Sequence, residues 1–273
     1  MAMPYRLTYA SPDDPLLKKV VINAVELATG RRRLERYYHE IQHLAPEQLW
    51  GAVLEKLEVQ LDFDQAKLAL TPGEGPVVFV ANHPFGVLDG LILGYLVSLV
   101  RPNFFVIVNE VLTRDNPLEK FMLPIDFRET AAAARTNILT RQLAAERLKA
   151  GEALAIFPSG GVATSPKFWK PAQDLEWKRF VAKLIQLTKA TVVPLYFHGR
   201  NSQLFQIASH INQSLRLSLL LNEIRNKIGT TISINIGNPI PYENLAGKGR
   251  QELLDYLKDT TMALRTPPPP PPF

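Results

Sequence analysis

The sequence predicts an α/β protein with a mostly parallel central sheet flanked by helices and a helical N-terminal segment. Three observations carry this. Short apolar runs recur, and one of them, Val77–Ala81, is wholly apolar and β-branched, the composition of a strand buried on both faces. Helix-length stretches alternate with these runs, which is the pattern of a parallel sheet covered on both sides. Finally, 46% hydrophobic and 21% charged residues in a 273-residue chain can build a large core, which argues against intrinsic disorder. Residues 1–70 read as the helical segment, 71–264 as the α/β domain, and 265–273 as a Pro-rich tail.

Residues 14–60 are rich in Leu, Glu, Arg and Lys and read as two or three helices interrupted at Gly30 and Pro46. Asp13 and Ala45-Pro46 stand at the expected helix starts. Pro72-Gly73-Glu74-Gly75-Pro76 is a turn leading into the strand Val77–Ala81. Phe104–Val108 and Phe121–Ile125 are further strands, Asn137–Ala150 is a helix stopped by Gly151, and Ala153–Phe157 is a strand. Over Asp174–Lys189, Trp177, Phe180, Val181, Leu184 and Ile185 make one apolar stripe at helical spacing. Strands at Thr191–Phe197 and Thr231–Ile236 and helices at about 204–228 and 248–264 complete the domain. Pro267–Pro272 is an extended polyproline stretch outside any core.

Charge and composition narrow the function. The chain has 31 Lys and Arg against 26 Asp and Glu, a net +5, but residues 167–229 hold 10 basic and 3 acidic side chains. A field of +7 in one stretch suits a phosphate-bearing partner, although a solvated basic face has the same composition. The complete lack of Cys removes disulfides, thiolate metal sites and a cysteine nucleophile, and fits a reducing cytoplasm. The longest apolar stretch, Leu91–Val100, is ten residues counting Ser98, about half of a bilayer span. With no hydrophobic leader in MAMPYRLTYASPDDP, the expected location is cytoplasmic, peripheral on the inner face of the membrane.

Four polar or glycine-containing clusters follow predicted strands, where open α/β sheets bind ligands. They are Asn82-His83-Pro84-Phe85-Gly86-Val87-Leu88-Asp89, Asp126-Phe127-Arg128-Glu129, Pro158-Ser159-Gly160-Gly161 and His198-Gly199-Arg200-Asn201-Ser202. A histidine directly after a buried strand, with an aspartate opening the next helix, can act as a general base oriented by a carboxylate. The same two residues also suit a structural histidine and a helix cap. Arg128 has the planar fork that recognises phosphate or carboxylate, and it also has Asp126 and Glu129 beside it for a surface ion pair.

The residues Asn82-His83…Asp89, Arg128, Phe157-Pro158-Ser159-Gly160 and Val193-Pro194-Leu195 stand in the order of the four sequence blocks of the glycerolipid acyltransferases, the lysophosphatidic acid acyltransferase superfamily. The resemblance covers about residues 72–240. The stretches HPFGVLDG, FPSGG and PLYFHGRNSQLF look most like its hemolysin-like, ornithine-lipid-type bacterial branch. That branch resembles this chain in placing five residues, not the usual four, between His and Asp. The usual third block carries Glu before Gly and Arg after it; here Ser159 replaces the Glu, and Val162 or Ala163 stands where the Arg would help. This points away from glycerol-3-phosphate or lysophosphatidic acid as acceptor.

The resemblance implies a glycerolipid acyltransferase-like fold and direct transfer of an acyl group. The donor would be acyl-CoA or acyl-carrier protein as co-substrate, with no bound cofactor, and the acceptor a lysolipid or an amino-acid-derived lipid. His83 would be the base, Asp89 its orienting carboxylate, and Arg128 a partner for an anion on the acceptor. Asn82, Ser159, Gly160, Gly161 and Pro194 would bind substrate, with Pro194 shaping the acyl wall. Backbone N–H groups near Gly160-Gly161 are candidate oxyanion donors. The expected partners are a lipid acceptor, an anionic membrane surface docked through Lys167, Phe168, Trp169 and Lys170, and an acyl-carrier protein. Nucleic acid is not expected, since no recognised binding motif accompanies the charge. No metal is expected, because His39, His43, His83, His198 and His210 lack ligand spacing with carboxylates.

Two other readings fit parts of the sequence. Ser159 with His83 and an Asp has the residue types of a serine hydrolase, but a nucleophile elbow wants Gly where Phe157 stands. The stretch 167–229, with aromatic Phe168, Trp169 and Trp177, has the composition of a non-catalytic module for anionic membranes.

Overall fold

The structure is a computed structural model that describes residues 8, 10, 15–113, 116–126, 128, 130–167, 169–211 and 213–265. Its sheet has seven strands: β1 (Gln60–Phe63), β2 (Val77–Ala81), β3 (Phe104–Asn109), β4 (Met122–Ile125), β5 (Ala153–Ile156), β6 (Thr191–Phe197) and β7 (Thr231–Ile236). Their order across the sheet is β1-β7-β6-β2-β5-β3-β4. All neighbours are parallel except β6 and β7, which run antiparallel. The expected mostly parallel sheet flanked by helices is therefore present.

β2 sits near the middle, between β6 and β5, and every residue of it is buried. That is why its side chains are apolar without alternation. Val77, Phe79 and Ala81 face one core with α2 (Arg31–Ile41), α3 (Pro46–Lys56), α5 (Val87–Ser98) and α10 (Leu220–Arg225). Val78 and Val80 face the other, with α6 (Ala131–Lys149), α7 (Phe180–Thr188) and α11 (Arg250–Ala263). The chain is completed by α1 (Leu16–Ala28), α4 (Gln65–Ala69), α8 (Gln203–Ile211) and α9 (Gln213–Ser218). Pro46 is the first residue of α3, where its missing N–H costs nothing.

Four expectations need correcting. The segment 1–70 is not wholly helical: β1 lies in it and pairs parallel with β7, so this segment contributes an edge strand to the sheet. The stretch from Asp174 is not helical until Phe180, because residues 173 and 164 form an antiparallel bridge and the Asp174 side chain is drawn to the end of β2. Trp177, expected on the helix stripe and in the membrane reading at a lipid surface, is buried in the second core and donates its indole N–H to Asp174 at 2.7 Å. The expected helix over 204–228 is three short ones. Phe205 and Ala208 of α8 close against Leu219 and Leu220, with Val162 between them. A straight helix of that length would be about 37 Å long and could not fold back on itself. The Pro-rich tail lies outside the described residues.

α5 meets α3 at the closest point of the first core. A Cβ on Gly94 would lie 2.3 Å from the Trp50 ring, which is itself packed against Phe104 and Phe121 with centroids at 5.7 and 5.8 Å. Overpacking of this kind costs about 1–3 kcal/mol. Gly94→Ala is therefore expected to lower the urea midpoint at unchanged slope. Gly73→Ala, whose Cβ meets nothing within 4 Å, is expected to leave it in place.

Candidate active site

The site grows from the carboxyl end of β2. Beyond Ala81 the ladder is continued by a side chain: Asn82 Nδ2 donates to Phe197 O at 3.0 Å, and Asn82 Oδ1 accepts from Phe197 N–H at 2.7 Å. This ties the end of β2 to the end of β6 and sets where His83 leaves the sheet. The chain then turns through Pro84 and Phe85 to Gly86, whose φ of 94° and ψ of −117° suit glycine and whose missing Cβ would fall 2.8 Å from Leu220. That turn lets a five-residue spacing bring Asp89, in the first turn of α5, back to His83.

His83 Nδ1 lies 3.0 Å from Asp89 Oδ1, close but bent, and neither atom has another partner. Asp89 is fully buried, and its second oxygen accepts the Phe85 N–H at 2.8 Å. The imidazole stacks on Phe157, with centroids 4.0 Å apart and planes 17° from parallel, which fixes its tilt. Its side chain keeps 15% exposure, so the Nε2 edge, opposite the carboxylate, faces solvent with no partner among the described residues.

The loop after β5 holds His83 from the other side. Ala163 N–H donates to His83 O at 2.7 Å, and His83 N–H donates to Asp174 Oδ1 at 3.1 Å. Burial pushes the Asp174 carboxyl above the usual carboxylate range, opposed by the Trp177 indole, the His83 N–H and charge, and the Ser159 hydroxyl. In the turn itself Gly160 takes φ 66° and donates its N–H to Phe157 O at 2.9 Å, while Ser159 Oγ donates to Gly161 O at 3.1 Å. Among the described residues the Gly161 N–H has no acceptor.

The family model described as "Acyltransferase" matches residues 37–267, which is most of the chain and includes every element of this site. The chain belongs to the acyltransferase family. Two relatives named lyso-glycine lipid O-acyltransferase agree with that membership. One is from Phocaeicola vulgatus, 29% identical over 222 residues covering 76% of this chain and 77% of that protein. The other is from Bacteroides thetaiotaomicron, 28% identical over 222 residues covering 76% and 79%. The crystal structure of the 1-acyl-sn-glycerophosphate (LPA) acyltransferase PlsC from Thermotoga maritima superposes with a TM-score of 0.54 at 15% identity, over 91% of this chain and 88% of that one. It shows the fold. This acyltransferase is a member of the glycerolipid acyltransferase superfamily.

The acyltransferase fold brings together His83, Asp89, Ser159, Gly160 and Gly161. The other expected site residues need correcting. Both ends of the Asn82 amide are engaged by the Phe197 backbone, so this side chain is a strand clamp, not a free substrate ligand. Of the two glycine N–H groups, that of Gly160 is already used within the turn. Arg128 follows the edge strand β4, three strands from β2 and thus about 14 Å across the sheet. It pairs there with Asp126 at 2.6 Å and Glu110 at 3.1 Å, and the Arg128 hydrogen bond holds the Asp126 carboxyl down at about 2. Pro194 is buried within β6, opposite Val80, at a gap in the antiparallel ladder between the pair Leu195–Ile236 and the bridge Val192–Ile240. A proline fits there because no ladder N–H is needed. Its ring packs toward Gly237.

Lys167, Trp169 and Lys170 are exposed, Trp169 at 63%, with the Lys167 ammonium 5.4 Å from the Trp169 ring centroid. Phe168 lies outside the described residues. Among the described residues no group of three His, Asp or Glu is placed to hold a metal. Ser159 is buried and turned to Gly161 and Asp174, without the contact to His83 that a serine nucleophile needs.

Asp174 is the residue that sequence reasoning missed, since it stood inside an apparent helix period. Its carboxyl carries two N–H donors, one of them on the backbone of the site histidine. Asp174→Ala leaves both unpaired, at about 1–3 kcal/mol each if they stay buried. We expect a lower thermal midpoint and at least a tenfold loss of kcat. Wild-type turnover in this variant would remove Asp174 from the site.

Proposed function

We propose that this enzyme transfers a fatty acyl group from an acyl thioester, acyl-CoA or acyl-carrier protein, to the hydroxyl of an amino-acid-derived lysolipid, with His83 as the general base. The observation that carries the reading is the His83–Asp89 pair: Nδ1 against a buried carboxylate, Nε2 open to solvent, and the ring fixed by Phe157. The two relatives named for lyso-glycine lipid support an amino-acid-derived acceptor and transfer to oxygen.

In this mechanism Nε2 takes the proton as the acceptor oxygen attacks the thioester carbonyl carbon. Asp89 holds Nδ1 protonated and stabilises the imidazolium that forms. The tetrahedral oxyanion is met by backbone N–H, for which Gly161 is the available glycine, and one such donor contributes on the order of 3 kcal/mol. The C–S bond then breaks, and the leaving thiolate takes the proton back from His83. Base assistance of this kind is worth roughly 10²–10⁴ in rate.

The donor's phosphates suit the basic groove between α6 and α7, about 920 Å³ and lined by Arg141, Lys149, Lys178, Arg179, Lys183 and Arg250, with Glu146 among them. This groove meets the site loop at Lys178, whose N–H donates to Pro158 O. The proposal includes a peripheral position on the cytoplasmic face of a membrane, and exposed apolar side chains support the membrane contact. Exposed Leu16, Leu17, Val20 and Val21 on α1 and Leu204, Ile207 and Ile211 on α8 are apolar, and both helices pack on α9. No helix among the described residues is long and apolar enough to cross a bilayer.

Two outcomes are expected. His83→Ala should lose at least 10²-fold of acyl transfer from labelled acyl-CoA or acyl-carrier protein while still binding vesicles, whereas Ser159→Ala should keep transfer within about tenfold. Activity retained in His83→Ala and lost in Ser159→Ala would overturn the assignment. The triple variant Lys167→Gln, Trp169→Ala, Lys170→Gln should bind phosphatidylglycerol vesicles at least tenfold more weakly, at about 1 kcal/mol per lysine near an anionic surface. Unchanged affinity would remove these residues from the membrane contact.

A further inference from the structure

Arg216, on α9, is a guanidinium without an anion. It is partly buried, stands over the Phe205 ring at 5.6 Å, and donates from Nη2 to Val162 O at 2.6 Å. Among the described residues no carboxylate pairs with it. Burial shifts its proton affinity downward, yet an arginine stays charged in a protein, so its four remaining N–H donors are left to water. Those nitrogens touch solvent: they are unpaired without being sealed off.

Its position is what gives this weight. Val162 packs against Gly86 of the turn between His83 and Asp89, and the next residue, Ala163, donates to the His83 carbonyl. Nη2 of Arg216 is therefore no more than about 8 Å from His83 O, measured along those contacts. The surrounding cluster of Val162, Phe205, Ala208, Leu219 and Leu220 is apolar, and capping one carbonyl does not require a five-donor fork. The Phe205 ring and the Val162 carbonyl offset part of the desolvation of this cation, and an anion on the remaining donors would offset the rest.

We propose that Arg216 anchors the anionic headgroup of the acyl acceptor, a carboxylate or phosphate within one headgroup's length of the hydroxyl presented to His83. The inference deepens the proposed function and rests on its reading of the acceptor. For an amino-acid-derived lysolipid it states which end is free: the amino acid is joined through its nitrogen and shows its carboxylate. A headgroup ending in an ammonium meets a like charge and is rejected.

The test uses three acceptors with the full-length enzyme: an N-acylated amino-acid lysolipid, its methyl ester, and a lysolipid bearing a phosphate monoester. Binding is measured by calorimetry in the His83→Ala background, so the result stands whether or not His83 is the base; turnover is measured with His83 intact. We expect an anionic acceptor to be preferred over the methyl ester at least tenfold. Arg216→Gln should bring that ratio close to one through KM, and Arg216→Lys should restore part of it. Whichever anion loses its advantage is the one held. Equal losses on charged and uncharged acceptors would make Arg216 structural, and a ratio unchanged in Arg216→Gln would overturn the proposal. Thermal midpoints of both variants separate misfolding from lost recognition.

Discussion

A carboxylate with no exposure to water, Asp89, is the constraint around which the site is arranged. Burying such a charge alone costs several kcal/mol, so it must be met by donors. Three groups lie against it: the Phe85 N–H as a hydrogen-bond donor, the positive end of α5, in whose first turn it stands, and the His83 imidazole in a bent contact at 3.0 Å. The first two come from the backbone and are in place once the turn at Gly86 has formed. The third is the only one that can change its charge. A proton arriving on His83 therefore finds an anion already held in position, and the ring cannot turn to escape it because Phe157 lies flat against one face.

The loop that follows β5 completes this arrangement from the opposite side, through the backbone of His83. Its carbonyl and its N–H are both taken by that loop, at Ala163 and Asp174. Ser159 belongs to the same unit: it gives its hydroxyl proton to Gly161 and lies against Asp174. The residues around the histidine thus divide by chemistry. Asp89 acts on the ring, Asp174 acts on the main chain, and the glycine turn leaves an N–H with no acceptor among the described residues.

Much of this was legible in the sequence, for identifiable reasons. β2, β6 and β7 have the bounds read from the sequence: β2 and β6 because strands covered on both faces are apolar almost throughout, β7 because Ile232, Ile234 and Ile236 alternate with more polar residues. His83 and Asp89 were legible because they follow such a run directly. β1 was not: Gln60–Phe63 is a four-residue, half-exposed edge strand in a Leu- and Glu-rich context that reads as helix. Asp174 and Trp177 were hidden in a real helical period, which yields to the hydrogen bonds that draw Asp174 to His83. Asn82 and Arg128 have the side chains of ligands but are occupied, one by a neighbouring strand's backbone and the other by two carboxylates. Such occupation is a matter of long-range geometry, which spacing along a chain does not carry. Arg216 is the reverse case: its residue type is ordinary, and only the fold sets it beside the site loop with no carboxylate against it among the described residues.

In the proposed mechanism Asp89 fixes the proton of the neutral His83 ring on Nδ1 and leaves Nε2 bare toward the acceptor. ¹⁵N spectra of the full-length enzyme with labelled histidine measure this directly, with His83 identified as the signal missing from His83→Gln. The expected spectrum shows a protonated Nδ1 and an unprotonated Nε2 in the neutral ring, with the balance shifting toward the other tautomer in Asp89→Asn. A neutral His83 carrying its proton on Nε2 in the unmodified enzyme would contradict it.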